Sequence, residues 1–258
     1  MPGVLSPGRA RDHPPVDHLS LAGMGDGADA EEDHSLLLMV CPDENSTALA
    51  RARGCLVGQL AGDALGSLVE FQSPEEIRRS YPKGVRELAD GGTWNTIAGQ
   101  PTDDSEVALL LARTLTERGA FDLDATLRAY QFWLDSNPFD CGMTISSGLR
   151  GFPNPDSQAN GAMMRISPLG IFGANHPLET VGDWARQDAA LTHPNPVCLQ
   201  ANTLFTMAIA HAIASGCESE KLYDSGLSTW MSRRLSWTPS MELPKHHRLT
   251  TSGNRAGC

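Results

Sequence analysis

The sequence has few aromatic residues, no closely spaced cysteines and no excess of basic residues. Aromatic residues make up 6% of the 258 residues, whereas Ala, Leu and Gly are plentiful. This balance suits close-packed helices better than sheets, which favour aromatic and β-branched residues. The formal net charge of −11 argues against a nucleic-acid interface, which needs clustered Lys and Arg. The composition therefore favours an all-α protein without a nucleic-acid partner.

The cysteines do not form a disulfide framework or a metal-binding pattern. They lie far apart, without a CxxC pair, at Cys41, Cys55, Cys141, Cys198, Cys217 and Cys258. Such spacing favours reduced thiols in a cytosolic protein. The N-terminus has no basic stretch followed by an apolar run of signal-peptide length, and we find no apolar stretch near the roughly 20 residues that span a bilayer. We expect a soluble, cytoplasmic protein without a membrane segment.

The chain divides into three segments of different composition. Residues 1–45 are rich in Pro and Gly and hold nine acids against two arginines, which predicts a disordered acidic leader. Residues 46–230 show helical periodicity and predict one multi-helix domain. Residues 231–258 hold five Lys and Arg against one Glu, without helical periodicity. We expect this last segment to be a disordered tail or a stretch translated out of the native reading frame.

The apolar periodicity predicts seven helices within the domain. They cover residues 46–71, 74–81, 102–117, 124–135, 162–172, 178–191 and 196–214, with long loops over 82–100 and 136–160. The first helix has glycine at every fourth position, at Gly54, Gly58, Gly62 and Gly66. We interpret this stripe as the site of close approach by another helix rather than as a surface that faces a ligand.

Thr102-Asp103-Asp104 begins an apolar helix with two carboxylates and a hydroxyl. These are hard oxygen donors, which suit Mg²⁺ or Ca²⁺. A structural explanation competes with this one, because Thr is a good N-cap and acids in the first turn are favoured by the helix dipole. Taken alone, the triplet favours capping.

Asp63 and Glu70 lie seven residues apart, so that a continuous helix would place them on nearly the same face. Buried among small and apolar residues, these acids would require a cation, a capped backbone or a shifted pKa. The alternative is that Asp63 binds a backbone amide and Glu70 faces water. Farther along, Asn160-Gly161 forms a turn before an apolar segment, where free amides can meet phosphate.

Together these segments resemble the ADP-ribosylglycohydrolase family, also called the dinitrogenase-reductase-activating glycohydrolase family. Residues 58–71 resemble its opening helix, and Thr-Asp-Asp-Ser at 102–105 resembles its Thr-Asp-Asp-Thr metal motif. Residues 160–170 are similar to its substrate loop and following helix, and Leu-Thr-His-Pro at 191–194 to its Thr-His motif. The four motifs occur in the family's order over about residues 47–216.

The resemblance implies an all-α fold with two Mg²⁺ ions, which hydrolyses the bond at ribose C1″ of an ADP-ribosylated substrate. The expected substrate is ADP-ribosylarginine on a protein, or a small ADP-ribose conjugate. Thr102, Asp103 and Asp104 are then metal ligands. Glu70 is a candidate general acid or base, and the two aspartates share in catalysis through the metal. Metal-bound water and nearby carboxylates suit such cleavage.

The resemblance also implies a substrate-binding set. Asn160 and Gly161 would hold the pyrophosphate or ribose through backbone amides, and His193 would contact the ADP-ribose. We expect Arg165 and Asp63 to brace this site rather than to react.

One family feature is missing from the sequence. Family members carry a second carboxylate motif, Asp-Thr-Asp-Thr or a close variant, near the end of the domain, and no such run follows His193. We therefore expect the domain to lack the usual C-terminal helices and the second ligand set. Three hypotheses stay open: an active hydrolase, an inactive ADP-ribose-binding or structural relative, and a truncated gene product.

Overall fold

The computed structural model describes residues 47–217 and 219–222, which are mainly helical. The helices are α1 Thr47–Gly66, α2 Pro74–Ser80, α3 Asp103–Arg118, α4 Leu123–Asp135, α5 Met143–Leu149, α6 Ser167–Gly173, α7 Leu178–Ala190, α8 Pro196–Ser215 and α9 Ser219–Leu222. Within these ranges, β-structure is limited to one antiparallel bridge between Gly91 and Thr96. The all-α prediction is confirmed. The predicted leader and tail lie outside the described residues.

Helix α3 lies at the centre of the hydrophobic core. Val107, Leu111 and Leu115 recur at every fourth position, so they share one face of α3, and all three are buried. They form one cluster with Tyr130, Trp133, Ile145, Leu149, Ile166, Leu169, Ala185 and Leu191. Gly119 adopts a left-handed conformation with φ of 63° and ends α3, where its N–H donates to the Leu115 carbonyl. The apolar face predicted for α3 is therefore confirmed.

Helix α5 lies inside the segment 136–160, for which the sequence predicts a loop. Its Thr, Ser and Gly residues are weak helix formers, so propensity does not favour a helix. Close packing does, because a Cβ atom added to Gly148 would lie 2.6 Å from the Cα atom of Thr192. The loop prediction is wrong for residues 143–149, where a tertiary contact outweighs local preference.

Helix α8 packs closely against α6 and α7. A Cβ atom at Gly170 of α6 would lie 2.6 Å from Ile209, and one at Gly182 of α7 would lie 3.0 Å from Met207. With 20 residues and a mean hydropathy of 1.4 in its best window, α8 is long and apolar enough to cross a membrane, contrary to the expectation from the sequence. Core helices of soluble proteins meet the same criterion, and the inner face of α8 is buried.

Helix α1 joins the rest of the domain at both ends. Near its start, Arg51 donates from Nε and Nη2 to the Ile213 carbonyl at the end of α8, at 2.8 and 2.6 Å. Nearer its end, Gln59 donates to the carbonyls of Asp104 and Met164.

The glycine stripe of α1 does not contact another described helix. Apart from the adjoining backbone of α1 itself and the neighbouring residues, no atom in the described part of the chain lies within 4 Å of a Cβ added to the four glycines of the predicted stripe. Our interpretation of the stripe as a helix contact is therefore wrong for the described residues. Gly62 and Gly66 line a cavity instead.

The segment after α1 folds back over the end of that helix. α1 ends at Gly66, and residues 67–71 continue as turns. The prediction that the helix extends to residue 71 and includes Glu70 is therefore wrong. Gly92 approaches this turn so closely that a Cβ atom there would lie 2.5 Å from the Ser67 carbonyl oxygen. The Thr93 N–H donates to the same oxygen at 3.3 Å. This contact places the following loop beside Glu70.

Candidate active site

The start of α3 is held by a carboxylate from α1. Thr102 is the N-cap residue, but its side chain makes no capping hydrogen bond. Its hydroxyl instead donates to Oδ1 of Asp63 at 2.7 Å, and Oδ2 of Asp63 accepts from the N–H groups of Thr102 and Ser105 at 3.0 and 3.1 Å. Asp63 therefore caps α3 from outside. The prediction that Asp63 accepts a hydrogen bond from a backbone amide is confirmed. The prediction that the Thr102 side chain caps α3 is wrong.

This arrangement leaves the oxygen donors of the triplet directed to a shared space. A cavity of about 320 Å³ is lined by Gly62, Asp63, Gly66, Ser67, Val69, Glu70, Thr102, Asp103 and Asp104. Because the Thr102 hydroxyl proton is donated to Asp63, lone pairs of its oxygen stay available as metal ligands. The structure thus brings Thr102, Asp103, Asp104 and Glu70 together, as predicted.

The cavity concentrates negative charge. Burial, followed by the charges of Asp103, Asp63 and Glu70, raises the pKa of Asp104 to about 7. Burial also raises the pKa of Asp103, although the Gly142 N–H, 3.4 Å from its Oδ2, lowers it in part. None of the ion pairs found between residues 47 and 222 involves these acids. A cation in the cavity would relieve this repulsion.

Asp140 is a site residue that the sequence analysis missed. Its carboxyl group shares a hydrogen bond with Asp103, and burial together with the charges of Asp103 and Glu70 raises its pKa to about 7. It lies in the loop before α5 and belongs to none of the motifs that we recognised. The Asn-Pro dipeptide at 137–138 signals only a turn. No local pattern could therefore have assigned Asp140 to the site.

Glu70 is fixed by the loop that folds over α1. Trp94 donates from Nε1 to its Oε2 at 3.0 Å, and the Thr93 hydroxyl donates to its backbone carbonyl. The Trp94 ring also meets Phe71 and Phe139 edge-on, with ring centroids 6.3 and 6.0 Å apart. Glu70 does not simply face water, as one alternative supposed. The indole ring of Trp94 lies beside its carboxylate.

The predicted substrate residues come together only in part. A Cβ atom at Gly161 would lie 3.1 Å from Cε1 of His193 and 2.9 Å from Ile145, so Gly161 and His193 are direct neighbours. His193 is fully buried, and burial together with the Arg165 cation lowers its pKa to about 4. Asn160 is exposed, and its carbonyl accepts from the amides that follow in the turn. The prediction of a phosphate cradle at Asn160 stays untested.

Gln59 links the turn at residues 160–165, called the substrate turn below, to the acidic cavity. Its Nε2 donates to the Met164 carbonyl at 2.8 Å and to the Asp104 carbonyl at 3.2 Å. Its Oε1 accepts from the Ser167 hydroxyl. One side chain of α1 therefore fixes α3, the substrate turn and α6 relative to one another, a role that no sequence pattern indicated.

The predicted metal ligands are the side-chain oxygens of Thr102, Asp103 and Asp104, at the start of α3. Among residues 47–217 and 219–222, no three or more His, Cys, Asp and Glu side chains are grouped so that they could hold a metal ion by themselves. The donor set of Thr102, Asp103 and Asp104 nevertheless fits a hard cation, being all oxygen and excessively negative. The prediction that Thr102, Asp103 and Asp104 are metal ligands therefore stays a prediction.

Comparisons with known proteins place these motifs in a wider context. Residues 44–252 match the family model of the ADP-ribosylglycohydrolases. The chain is 34% identical over 173 residues to ADP-ribosyl-(dinitrogen reductase) glycohydrolase of Rhodospirillum rubrum, which covers 63% of the chain and 58% of the relative. It is 28% identical to ADP-ribosylhydrolase ARH3 of Homo sapiens, over 67% of the chain and 52% of the relative.

Two further comparisons agree with these. ADP-ribosylarginine hydrolase Tri1 of Pseudomonas putida (strain GB-1) is 27% identical, over 67% of the chain and 49% of the relative. A solved structure named "ADP-ribosylglycohydrolase-related protein complex" is similar with a TM-score of 0.59 at 27% identity, and the similarity covers 72% of this chain and 63% of that one. The chain spans about half the length of the curated relatives it matches.

Proposed function

Because the chain belongs to the ADP-ribosylglycohydrolase family, we propose that it is a cytoplasmic hydrolase that cleaves the bond at ribose C1″ of ADP-ribosylated groups. The observation that supports this function most is the acidic cavity at the start of α3. It combines Thr102, Asp103 and Asp104 with the carboxylate of Glu70. Glycosidic cleavage passes through an oxocarbenium-like transition state, which nearby carboxylates stabilise.

We propose Mg²⁺ as the cofactor. Asp103 and Asp104 would hold it together with the Thr102 hydroxyl, whose proton is committed to Asp63. Bound there, Mg²⁺ would supply Lewis acidity and lower the pKa of a bound water. The two ions that the family resemblance implies need further ligands, and in this proposal Thr102, Asp103 and Asp104 form one side of such a pair.

The protein's own groups have distinct roles in this proposal. Glu70, fixed by Trp94, handles the proton at the scissile bond. Asp140 lies against Asp103 and offers a second carboxyl group to the same space. Gly161, whose lack of a side chain lets Ile145 and His193 pack against its backbone, would contact the ribose or pyrophosphate through its amide, and His193 would contact the ADP-ribose.

We propose ADP-ribosylarginine on a protein as the substrate. A guanidinium leaving group is cationic, and the edge of the site offers Glu70 and Asp140 beside the aromatic rings of Phe71, Trp94 and Phe139. Aromatic faces and carboxylates both attract cations. The same preference is named for one relative, the ADP-ribosylarginine hydrolase.

A release assay tests the hydrolase function. Wild-type protein with Mg²⁺ should release ADP-ribose from an ADP-ribosylarginine protein, and Glu70→Gln should lower the rate about 100-fold or more because it removes the proton-transfer group. Glu75→Gln, an exposed acid of α2 paired with Arg78, is the control and should be unaffected. Equal rates for wild type and Glu70→Gln would contradict the assignment.

A second candidate function is ADP-ribose binding without hydrolysis. The one-sided set of metal ligands among the described residues favours it. Calorimetry with free ADP-ribose, run beside the release assay, separates the two functions. Binding without release would favour the binder, and release would exclude it.

A further inference from the structure

A buried network joins α4, α7 and the turn before α6, in which Arg165 lies. Arg165 donates from Nε to Oδ2 of Asp188 at 3.0 Å and from Nη2 to the Asp188 carbonyl at 2.8 Å. The Tyr130 hydroxyl donates to Oδ1 of Asp188 at 2.8 Å, and the guanidinium of Arg165 lies 4.6 Å from the Tyr130 ring centroid. All three side chains are fully buried. The ion pair is therefore well compensated, as a buried pair must be.

The network extends through Thr192 to His193. Arg165 donates from Nη1 to the Thr192 hydroxyl at 3.0 Å, and that hydroxyl lies 2.7 Å from Nδ1 of His193. Thr192 and His193 are also fully buried. The backbone of Gly148 packs directly against Thr192, since an added Cβ atom would lie 2.6 Å from the Thr192 Cα atom.

The direction of the hydrogen bonds follows from the chemistry of their donors. A guanidinium can only donate, so the Thr192 oxygen accepts from Arg165. The Thr192 hydroxyl has one proton, and its other partner in the described structure is Nδ1 of His193. If His193 donated from Nδ1 instead, the Thr192 proton would have no acceptor in this part of the chain. Nδ1 is thus the acceptor, and the ring proton lies on Nε2.

The other ring nitrogen has no such partner. Nε2 of His193 is buried and makes no hydrogen bond to any described residue. Buried donors without acceptors are rare in folded proteins, and each requires an explanation. The adjoining atom Cε1 lies against Gly161, where an added Cβ atom would be 3.1 Å away. The unpaired donor is therefore close to the turn that we assign to the substrate.

We propose that Arg165, Asp188 and Thr192 are positioning residues that hold His193 as the neutral Nε2–H tautomer, which donates a hydrogen bond to an oxygen of bound ADP-ribose. This inference rests on the proposed function for its ligand. It makes His193 a fixed donor rather than an acid or a base. The oxygen it meets is a ribose hydroxyl or a phosphate oxygen, since both accept from a neutral imidazole.

The low pKa of His193 agrees with this geometry. Burial and the Arg165 cation both disfavour a second ring proton. An imidazolium would also have to donate from Nδ1, against the proton of Thr192. The tautomer is thus set by a hydrogen bond, and the charge is set by its surroundings.

The experiment reads the tautomer directly. Full-length protein with ¹⁵N-labelled histidine is measured at neutral pH by long-range ¹H–¹⁵N correlation, with the His193 signals assigned from His193→Gln. We expect an unprotonated Nδ1 and a protonated Nε2 in wild type and in Thr192→Ser, which keeps the hydroxyl. Thr192→Val keeps the shape without the hydroxyl and should give a mixture of tautomers. A protonated Nδ1 in wild type would overturn the proposal even if Thr192→Val failed to fold, and so would an unchanged tautomer in a folded Thr192→Val.

A second measurement separates this inference from the proposed function. Wild-type protein is titrated with ADP-ribose, and we expect Nε2 of His193 to shift and Thr192→Val to bind roughly tenfold more weakly, with Thr192→Ser within about twofold of wild type. Normal wild-type binding without an Nε2 shift would overturn the donor role and leave the proposed function standing. Absence of ADP-ribose binding by wild type would overturn the proposed function and the ligand assigned to His193, whereas the tautomer is read independently.

Discussion

The Asp104 carboxyl group lies close to Asp103, Asp63 and Glu70, and its pKa is raised from 3.8 to about 7. Without a metal, the folded chain therefore binds more protons at Asp104 than the unfolded chain between these pH values. The free energy of unfolding should fall as the pH rises through this window. Repulsion at Asp104 is thus a cost of the metal-free state at neutral and basic pH.

Asp104→Asn should remove this cost. In buffer with EDTA, we expect the variant to raise the melting temperature at pH 8 and to have little effect at pH 4, where the carboxyl group is largely protonated when folded. Asp124→Asn, at an exposed acid in the first turn of α4, is the control. The same change in melting temperature for Asp104→Asn at both pH values would contradict the charge account.

Trp94 tests how Glu70 is positioned. Trp94→Phe keeps a ring between Phe71 and Phe139 but removes the Nε1 donor. We expect kcat for ADP-ribose release to fall about tenfold with little change in KM, because a hydrogen bond to a charged group is worth about 1.5–3 kcal/mol. Trp184→Phe, whose ring packs against Phe121 and Phe172, is the matched control. An unchanged kcat in Trp94→Phe would show that Glu70 does not depend on this bond.

At the scale of elements, Asp63 joins α1 to the start of α3. Asp63→Ala should lower the free energy of unfolding by about 1–2 kcal/mol, the usual cost of a lost cap, and should weaken Mg²⁺ binding about tenfold or more because Thr102 loses its orientation. Asp122, which caps α4 by accepting from the Ala125 N–H at 2.9 Å, offers a comparison. Asp122→Ala should cost similar stability and leave Mg²⁺ affinity unchanged, as chemical denaturation and calorimetry would show. Equal Mg²⁺ affinities for the two variants would contradict the role of Asp63.

The packing of α5 against Thr192 can be tested by adding a methyl group at Gly148. Gly148→Ala should cost about 1–3 kcal/mol, because the new Cβ atom would meet the Thr192 backbone. Gly54→Ala in α1 should instead gain roughly 0.5–1 kcal/mol, since nothing described lies within 4 Å and Ala favours a helix. Denaturant unfolding measures both. A destabilising Gly54→Ala would show that another part of the chain or a partner covers this face.

The elements also show what the sequence could predict. Apolar periodicity located α3, α4, α7 and α8 to within a residue or two, since amphipathic helices carry that signal in the chain itself. It missed α5, whose stability comes from the contact between Gly148 and Thr192. The helix boundaries were thus predictable where local and tertiary preferences agree.

The same limit applies to the site. The triplet at the start of α3 was recognisable because its three oxygen-bearing residues are adjacent in sequence. Gln59, Trp94 and Asp140 act across 24 to 108 residues of chain and leave no local pattern. Their roles follow from the fold and could not be read from spacing.

At the scale of the whole molecule, the account concerns an acidic cavity that we propose as a Mg²⁺ site. The carboxylates of Asp63, Glu70, Asp103 and Asp104 line one cavity, and residues 44–252 match the family model. The chain spans 49–58% of the curated relatives named above. Whether this site hydrolyses its substrate is therefore the central question.

The most direct measurement is the Mg²⁺ dependence of ADP-ribose release by the full-length protein from an ADP-ribosylarginine substrate. The account predicts release with Mg²⁺, loss of release in EDTA, and a rate at least about 100-fold lower in Asp103→Asn but not in Asp124→Asn. Release that persists in EDTA, or that is equal in Asp103→Asn and wild type, would contradict it.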